Sequence, residues 1–198
     1  RAKTRVTLES ALRHGVLVGA HPGLAAAGGR GSALPSAAAF RALLEEQLGH
    51  FLQIADAVGV AVSYVKLHGS LYHAVEQDES LAEVFIDCLN TLDRSLGVFS
   101  LAGGCFASRA RVAGLRVWEE AFADRGYLER GQLVPRDQPG AVIEDVNVAV
   151  ERVRVWQASG QMPTVDGGRV TLQAETLCVH SDSLHALELL RGLCALLD

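Results

Sequence analysis

The sequence lacks several features that mark common protein classes. It has no apolar run near the ~18 residues that a membrane-spanning helix requires, and its first residues, RAKTRVTLESALRHG, have the pattern of an amphipathic helix rather than a signal peptide. The net charge of −5 excludes the basic excess typical of nucleic-acid-binding proteins. We therefore expect a cytoplasmic protein whose partners are neither membranes nor nucleic acids.

Two catalytic motifs are also missing. The sequence contains no GxxxxGK[ST] phosphate loop and no GxSxG nucleophile elbow. If ATP takes part in the activity, we do not expect this chain to bind it through a standard phosphate loop.

Cysteine, methionine and lysine are scarce. The four cysteines, Cys88, Cys105, Cys178 and Cys194, form no CxxC pair, which is typical of buried, reduced thiols in a cytosolic protein. Met162 is the only methionine, so we expect the natural protein to begin upstream of this chain.

Lysine is the most informative of these scarce residues. The chain has 16 arginines but only two lysines, Lys3 and Lys66. Lys66 interrupts a strand-like segment, where surface charge does not explain it. Lysine is a compact donor whose pKa responds to burial, so this placement indicates a functional residue.

Strand-like and helix-like segments alternate along the 198 residues. Strands are predicted at 16–20, 60–66, 97–102 and 115–119 and before His180; helices are predicted at 4–14, 36–58, from about 80, at 105–113, at 145–159 and from 183. In the last helix we expect Leu184, Leu187, Leu190 and Cys194 to face inward. This order predicts one α/β domain over 1–198 with parallel strands, either a TIM-type barrel or an open doubly wound sheet.

Three apolar runs are followed at once by a histidine. They are VLVGAHPG (16–23), VSYVKLHGSLYH (62–73) and TLCVHSD (176–182). Because parallel α/β folds build their sites at the carboxyl ends of the strands, we expect His21, His68 and His180 to lie on one rim. We expect Glu119 and Glu120 to mark a fourth strand end there, with Asp124 and Arg125 just beyond.

The residues of this predicted rim fit two kinds of chemistry. Histidines and a carboxylate could hold a divalent metal that activates water. Alternatively, His and Asp could act as general acid and base without a metal, while Lys66 stabilises an oxyanion. The spacing does not decide between them.

Four segments in order resemble the LamB/YcsF family: GAHPG, YVKLHGSLYH, EAFADRGYLERGQLVPRDQPGAVI (120–143) and AETLCVHSD. The resemblance covers essentially the whole chain. It implies a distorted (β/α) TIM-like barrel of the glycoside hydrolase/deacetylase type, here without its N-terminal strands. It also implies the A subunit of an ATP-dependent 5-oxoprolinase, which opens 5-oxo-L-proline to L-glutamate with B and C subunits. ATP would then act through those partner subunits, and a divalent metal would be possible.

The resemblance also suggests roles for individual residues. The implied catalytic residues are Lys66, His68, Glu120, Asp124, His180 and Asp182. The implied substrate-binding residues are His21, Tyr72, Arg125 and Arg136. If a metal is present, His21, His68 and His180 are its candidate ligands.

The chain departs from the family pattern in a few places. The loop GLAAAGGRG after Pro22 lacks the family's Tyr, Asp and Phe, and Leu67, His73 and Ser181 replace the family's Pro, Asn and Gly. The sequence leaves two alternative functions open. One is a non-catalytic paralogue, and the other is a metal-dependent amidase or deacetylase that acts on another small substrate.

Replacing Lys66 with alanine tests the inference from lysine usage. Because the lysine would stabilise charge during the reaction, Lys66→Ala should abolish turnover of 5-oxo-L-proline and leave folding intact. Steady-state rates and circular dichroism measure the two effects. Equal activity in variant and parent would contradict the assigned role.

Overall fold

The structure, a computed structural model, describes residues 2–25, 33–92 and 94–197. The predicted Gly- and Ala-rich loop after His21 is therefore described only in part, since 26–32 lie outside these residues. The helices are α1 (Ala2–Arg13), α2 (Ala37–Val58), α3 (Ser70–Gln77), α4 (Glu79–Asn90), α5 (Cys105–Val112), α6 (Val146–Ser159) and α7 (Ala186–Leu197). The strands are β1 (Val18–Ala20), β2 (Val62–Val65), β3 (Gly97–Leu101), β4 (Val117–Phe122), β5 (Gln161–Pro163), β6 (Arg169–Thr171) and β7 (Thr176–Cys178).

The chain divides into two compact units. The first comprises 1–100 and 104–118, and the second comprises 101–103 and 119–198. The single domain over 1–198 stays a prediction.

In the first unit, β1, β2 and β3 pair in parallel in that order. Val65 and Val98 are partners across β2 and β3 and are both fully buried. Burial of successive strands under helices explains why their sequences are apolar runs. An apolar cluster also joins Leu8 of α1 to Ala55 near the end of α2.

Helix α2 begins and ends where its sequence predicts. The Ser36 hydroxyl accepts a hydrogen bond from the amide of Ala39 at 3.3 Å, which caps the amino end. Gly59 ends the helix with φ of 78°, a conformation that favours glycine. Between them, Phe40, Leu44, Leu48 and Leu52 form one buried face.

In the second unit, β4 pairs in parallel with β7, and Phe122 lies opposite Cys178. Strands β5 and β6 form an antiparallel hairpin. Helices α6 and α7 pack together around Val153, Leu189 and Leu193. Asp145 caps α6 by accepting hydrogen bonds from two amides of its first turn.

Some element predictions were wrong. Helix α3 was not predicted, and neither was the β5–β6 hairpin. Strand β4 continues to Phe122 rather than ending at 119. Glu119 and Glu120 therefore lie within a strand and do not follow its end.

The predicted inward face of α7 was also wrong. Leu184 precedes the helix and is 99% exposed, and Leu187 is 71% exposed, whereas Leu189 and Leu193 are buried. Apolar residues occupy both sides of this helix, so periodicity alone did not select the buried side. The prediction of buried cysteines holds for Cys88 only, because Cys105 and Cys194 are exposed and Cys178 is partly buried.

The segment that joins β4 to α6 folds into a close-packed loop. Short antiparallel bridges join Arg125 to Val142 and Tyr127 to Leu133. Two stretches of this loop approach so closely at Gly126 that a Cβ atom there would lie 2.1 Å from the carbonyl oxygen of Gly140. Only glycine fits at this position without a backbone shift.

Replacing Gly126 with alanine should destabilise the protein by roughly 1–3 kcal/mol, the usual cost of overpacking. Gly49 is the matched control, because it lies within α2 and a Cβ atom there would meet nothing within 4 Å. Gly49→Ala should stabilise the protein by roughly 0.5–1 kcal/mol. Urea unfolding measures both effects, and equal stabilities for the two variants would contradict the close approach.

Candidate active site

In the first unit, backbone pairing continues beyond the strand ends. The amide of Lys66 donates to the carbonyl of Ala20 at 2.9 Å, and the amide of His68 donates to the carbonyl of Pro22 at 2.8 Å. This pairing brings the segments AHPG and KLHG side by side. His21 and His68 therefore become neighbours although 47 residues separate them.

The two imidazole rings are in direct contact. Nε2 of His21 lies 2.9 Å from Nδ1 of His68, and the ring centroids are 4.7 Å apart in an edge-to-face arrangement. Nδ1 of His21 lies 2.7 Å from the carbonyl oxygen of Lys66. The structure thus confirms that two of the three predicted histidines lie together.

Lys66 and Tyr72 extend this cluster. The Lys66 ammonium lies 5.9 Å from the centroid of the Tyr72 ring, within the range of a cation–π contact. Gly69 adopts φ of 57°, so the chain turns sharply there into α3. This turn carries Tyr72, which is 6% exposed, back towards the lysine.

In the second unit, Asp124 holds His180. The Asp124 carboxylate accepts a hydrogen bond from the His180 amide at 2.9 Å, and both its oxygens lie 2.9 Å from Nδ1 of the ring. One face of the His180 ring is covered by an apolar side chain, since it stacks on Phe122 with centroids 5.7 Å apart. The backbone pairing of Ala123 with Cys178 sets the register for this contact.

Asp124 is charged despite its burial. Its side chain is only 4% exposed, and burial raises the pKa of a carboxyl group. The hydrogen bonds and the charge interaction with His180 outweigh that effect and lower the pKa of Asp124 below its ordinary value. The pair therefore places an ionised carboxylate behind a partly exposed imidazole.

Arg125 points into the loop that follows β4. Its Nε donates to the carbonyl of Ala141 at 2.8 Å, and an Nη donates to the carbonyl of Val134 at 2.7 Å. Its own carbonyl accepts from Arg152 at 3.3 Å. These contacts, in a residue that is 4% exposed overall, fix the loop; the substrate-binding role of Arg125 stays a prediction.

Arg136 lies on the same loop and is more accessible. Its guanidinium lies 3.8 Å from the carboxylate of Asp182, two residues after His180, and its side chain is 27% exposed. The loop therefore presents a cation close to the segment that carries His180. This pairing of Arg136 with Asp182 was not predicted.

The acidic residues of β4 differ in their surroundings. Glu120 is 2% exposed and lies beside Ala121 inside the strand. The Glu119 carboxylate accepts a hydrogen bond from the amide of Gly103 at 2.7 Å. Both residues belong to the strand body, so any role of Glu120 in orienting water stays a prediction.

Sequence reasoning missed two polar residues of the first unit, and one of them, Gln47, supports the segment that carries His21. The Gln47 side chain donates to the carbonyl of Gly23 at 2.8 Å and accepts from its amide at 3.0 Å. The Glu76 carboxylate accepts from Ser100 and from the amide of Phe106 at the start of α5. Each lies on a helix among other polar residues, and only the three-dimensional contact distinguishes them.

The donor geometry does not match a metal centre. Across 2–25, 33–92 and 94–197, no three His, Cys, Asp or Glu side chains come together in a way that could hold a metal ion. Both ring nitrogens of His21 already have hydrogen-bond partners. These side chains therefore do not fit a metal ion. The joining of the first unit's histidines with His180 on one rim also stays a prediction.

Replacing Asp124 with asparagine tests the charge of the buried carboxylate. Because folding lowers the pKa of Asp124, its stabilisation is fully present above the unfolded value near ~4 and is lost as the pH falls through the lower folded value. Asp124→Asn should therefore cost roughly 1–3 kcal/mol of unfolding free energy at neutral pH and less below that window.

Urea unfolding at several pH values measures this difference. Asp137→Asn is the control, since Asp137 is exposed on the same loop and should change stability little at any pH. A deficit for Asp124→Asn that stays constant into the acid range would show that the carboxylate is not stabilised as described.

Known proteins are similar in sequence to most of this chain. Residues 2–198 match the family model described as LamB/YcsF family. A Bordetella pertussis protein, named as the A subunit of 5-oxoprolinase, is 39% identical over 192 residues, which cover 96% of this chain and 76% of that protein. A protein of the same name from Syntrophobacter fumaroxidans is 42% identical over 179 residues, covering 89% of this chain and 71% of that protein.

The fold also matches a solved structure. The crystal structure of a lactam utilization protein from Thermus thermophilus aligns with a TM-score of 0.88 at 34% identity, covering 99% of this chain and 79% of that one. This likeness confirms the predicted α/β fold of TIM-like barrel type. In the part of the chain that the structure describes, no helix is long and apolar enough to cross a membrane. On the family match and these identities, the chain belongs to the LamB/YcsF family.

Proposed function

We propose that this protein is the A subunit of an ATP-dependent 5-oxoprolinase, which opens 5-oxo-L-proline to L-glutamate together with B and C subunits. The observation that carries the proposal is the Asp124–His180 pair, a histidine oriented by an ionised carboxylate. The names of the relatives from Bordetella pertussis and Syntrophobacter fumaroxidans support the substrate. The lactam utilization protein supports the same class of bond.

His180 acts as the general base. Asp124 accepts the hydrogen on Nδ1, so the neutral ring carries its lone pair on Nε2. Nε2 takes a proton from water as the water oxygen bonds to the lactam carbonyl carbon. The Asp124 carboxylate stabilises the imidazolium that results, as carboxylates do in other histidine-dependent hydrolases.

The same histidine then acts as the acid. When the carbon–nitrogen bond breaks, the ring nitrogen leaves as an amine and needs a proton. The imidazolium of His180 returns the proton that it took from water. Ring opening consumes one molecule of water and gives one carboxylate and one amine, and the ATP hydrolysis on the partner subunits consumes a second water and releases ADP and phosphate.

Arg136 binds the carboxylate that the substrate carries beside its ring nitrogen. Its guanidinium is partly exposed and lies near the segment that follows β7, and a planar fork of N–H donors matches a carboxylate. Asp182 holds the guanidinium until the substrate binds. Arg125 serves as a positioning residue, because its hydrogen bonds to Val134 and Ala141 shape the loop on which Arg136 lies.

Lys66 of the first unit keeps the role that the sequence suggested, whereas Tyr72 takes a positioning role instead of binding substrate. Lys66 supplies a donor for the developing oxyanion, and Tyr72 sets its position through the ring contact. The partner subunits bind ATP and activate the substrate, which explains why this chain needs no phosphate loop. A cytoplasmic location fits a reaction that consumes ATP.

Reconstitution tests the proposal. This protein is mixed with candidate B and C subunits, ATP and 5-oxo-L-proline, and both glutamate and ADP are measured. Glutamate should form only when this chain is present. If partners that are competent with the A subunit of a relative form no glutamate with this one, the proposal is wrong.

His180→Asn tests the assigned base in the same assay. Loss of a general base should lower kcat by roughly 10²–10⁴-fold while thermal stability changes little. His185→Asn is the matched control, since His185 lies in the same unit and is exposed beside Glu188. If His180→Asn keeps the parent rate but melts early, His180 is a structural residue.

A further inference from the structure

The hydrogen bond between His21 and His68 has a defined donor and a defined acceptor. Nδ1 of His21 lies 2.7 Å from the carbonyl oxygen of Lys66, and a carbonyl oxygen only accepts hydrogen bonds. Nδ1 of His21 must therefore carry a hydrogen. In a neutral ring, Nε2 of His21 then carries the lone pair.

The lone pair on His21 determines which ring nitrogen of His68 carries a hydrogen. Nδ1 of His68 lies 2.9 Å from Nε2 of His21. Because that nitrogen of His21 carries a lone pair, Nδ1 of His68 must carry the hydrogen of the contact. A neutral His68 is thereby restricted to the tautomer whose Nε2 is unprotonated.

The surrounding backbone holds this contact in place. The Pro22 carbonyl accepts from the His68 amide, and the Gln47 side chain binds both backbone groups of Gly23. A Cβ atom on Gly23 would lie 2.9 Å from the Cβ of His68, so only glycine lets the two segments approach this closely. Contacts from three segments of the chain thus build one arrangement of the two rings.

We propose that His21 is a positioning residue that acts through His68 by fixing its tautomer, rather than a residue that binds substrate. His68 then presents Nε2 as a hydrogen-bond acceptor. In the proposed function, on which this assignment of purpose rests, this nitrogen accepts a hydrogen bond from a donor on the substrate. A carboxylate orients the His180 ring, whereas another imidazole orients the His68 ring.

The tautomer of His68 can be measured without any activity. Nitrogen-15 NMR of histidine-labelled protein, at a pH well above the ordinary histidine value of about 6.5, distinguishes protonated from unprotonated ring nitrogens. In the parent protein, His68 should show a protonated Nδ1 and an unprotonated Nε2. A parent spectrum with the hydrogen on Nε2 of His68 would overturn the proposal, even if every variant fails to fold.

Three variants separate positioning from packing. His21→Ala removes the acceptor, so His68 should populate both tautomers, whereas His21→Gln keeps an amide oxygen near the position of Nε2 and should restore the single tautomer. His14→Ala is the matched control, because Nδ1 of His14 also lies against a backbone carbonyl, that of Ser10 at 2.8 Å, and its loss should leave His68 unchanged. An unchanged His68 spectrum in folded His21→Ala would overturn the proposal.

The kinetic readout is separate from the spectrum. In the reconstituted reaction, His21→Ala should lower kcat roughly 10–100-fold, as losses of orienting residues do, and His21→Gln should recover most of the rate. If the parent forms no glutamate, the proposed function fails while the spectrum still decides the tautomer. If His21→Gln restores the single tautomer of His68 but not the rate, His21 itself binds substrate and the positioning role is wrong.

Discussion

Backbone hydrogen bonds that continue beyond the parallel strands determine where the candidate functional side chains lie. In the first unit the pairing of Lys66 with Ala20 and of His68 with Pro22 sets one histidine against the other. In the second unit the pairing of Ala123 with Cys178 sets Asp124 against His180. In each case backbone hydrogen bonds between neighbouring parallel segments place two polar side chains from distant parts of the sequence within hydrogen-bond distance.

The two histidine pairs differ in the group that orients the ring. Asp124 is a buried carboxylate whose pKa lies below its ordinary value, so the His180 ring is oriented by an ionised acceptor. His21 is an imidazole bound to a carbonyl, so it determines the tautomer of His68 with no added negative charge. In the proposed function, this difference separates His180, which transfers protons, from His68, which accepts a hydrogen bond from the substrate.

Sequence reasoning placed His21, His68 and His180 just after strands, as they are in the structure, whereas their meeting on one rim stays a prediction. It also placed Asp124 near them, and the structure shows its direct contact with His180. It missed α3, whose eight residues are too few for a clear helical period. It placed Glu120 at a strand end because the apolar residues Ala121 and Phe122 were assigned to no element, whereas β4 includes both.

Other features depend on contacts that no local pattern encodes. The buried side of α7 is chosen by packing on α6 around Val153, since both sides of the helix are apolar. The sequence offered Arg125 as a substrate-binding residue, a role that stays a prediction, and did not indicate that its guanidinium donates to carbonyls of its own loop. Arginine is suited to both tasks because its five donors fit carbonyls and carboxylates alike, so residue type alone did not separate them.

The central claim is that Asp124 and His180 act as one catalytic unit. The most direct measurement is kcat for Asp124→Asn, His180→Asn and the double variant in the reconstituted reaction. Residues that act as a unit give strongly non-additive losses, so the double variant should be about as slow as His180→Asn alone. Losses that multiply, with the double variant slower by the product of the two single effects, would contradict the account.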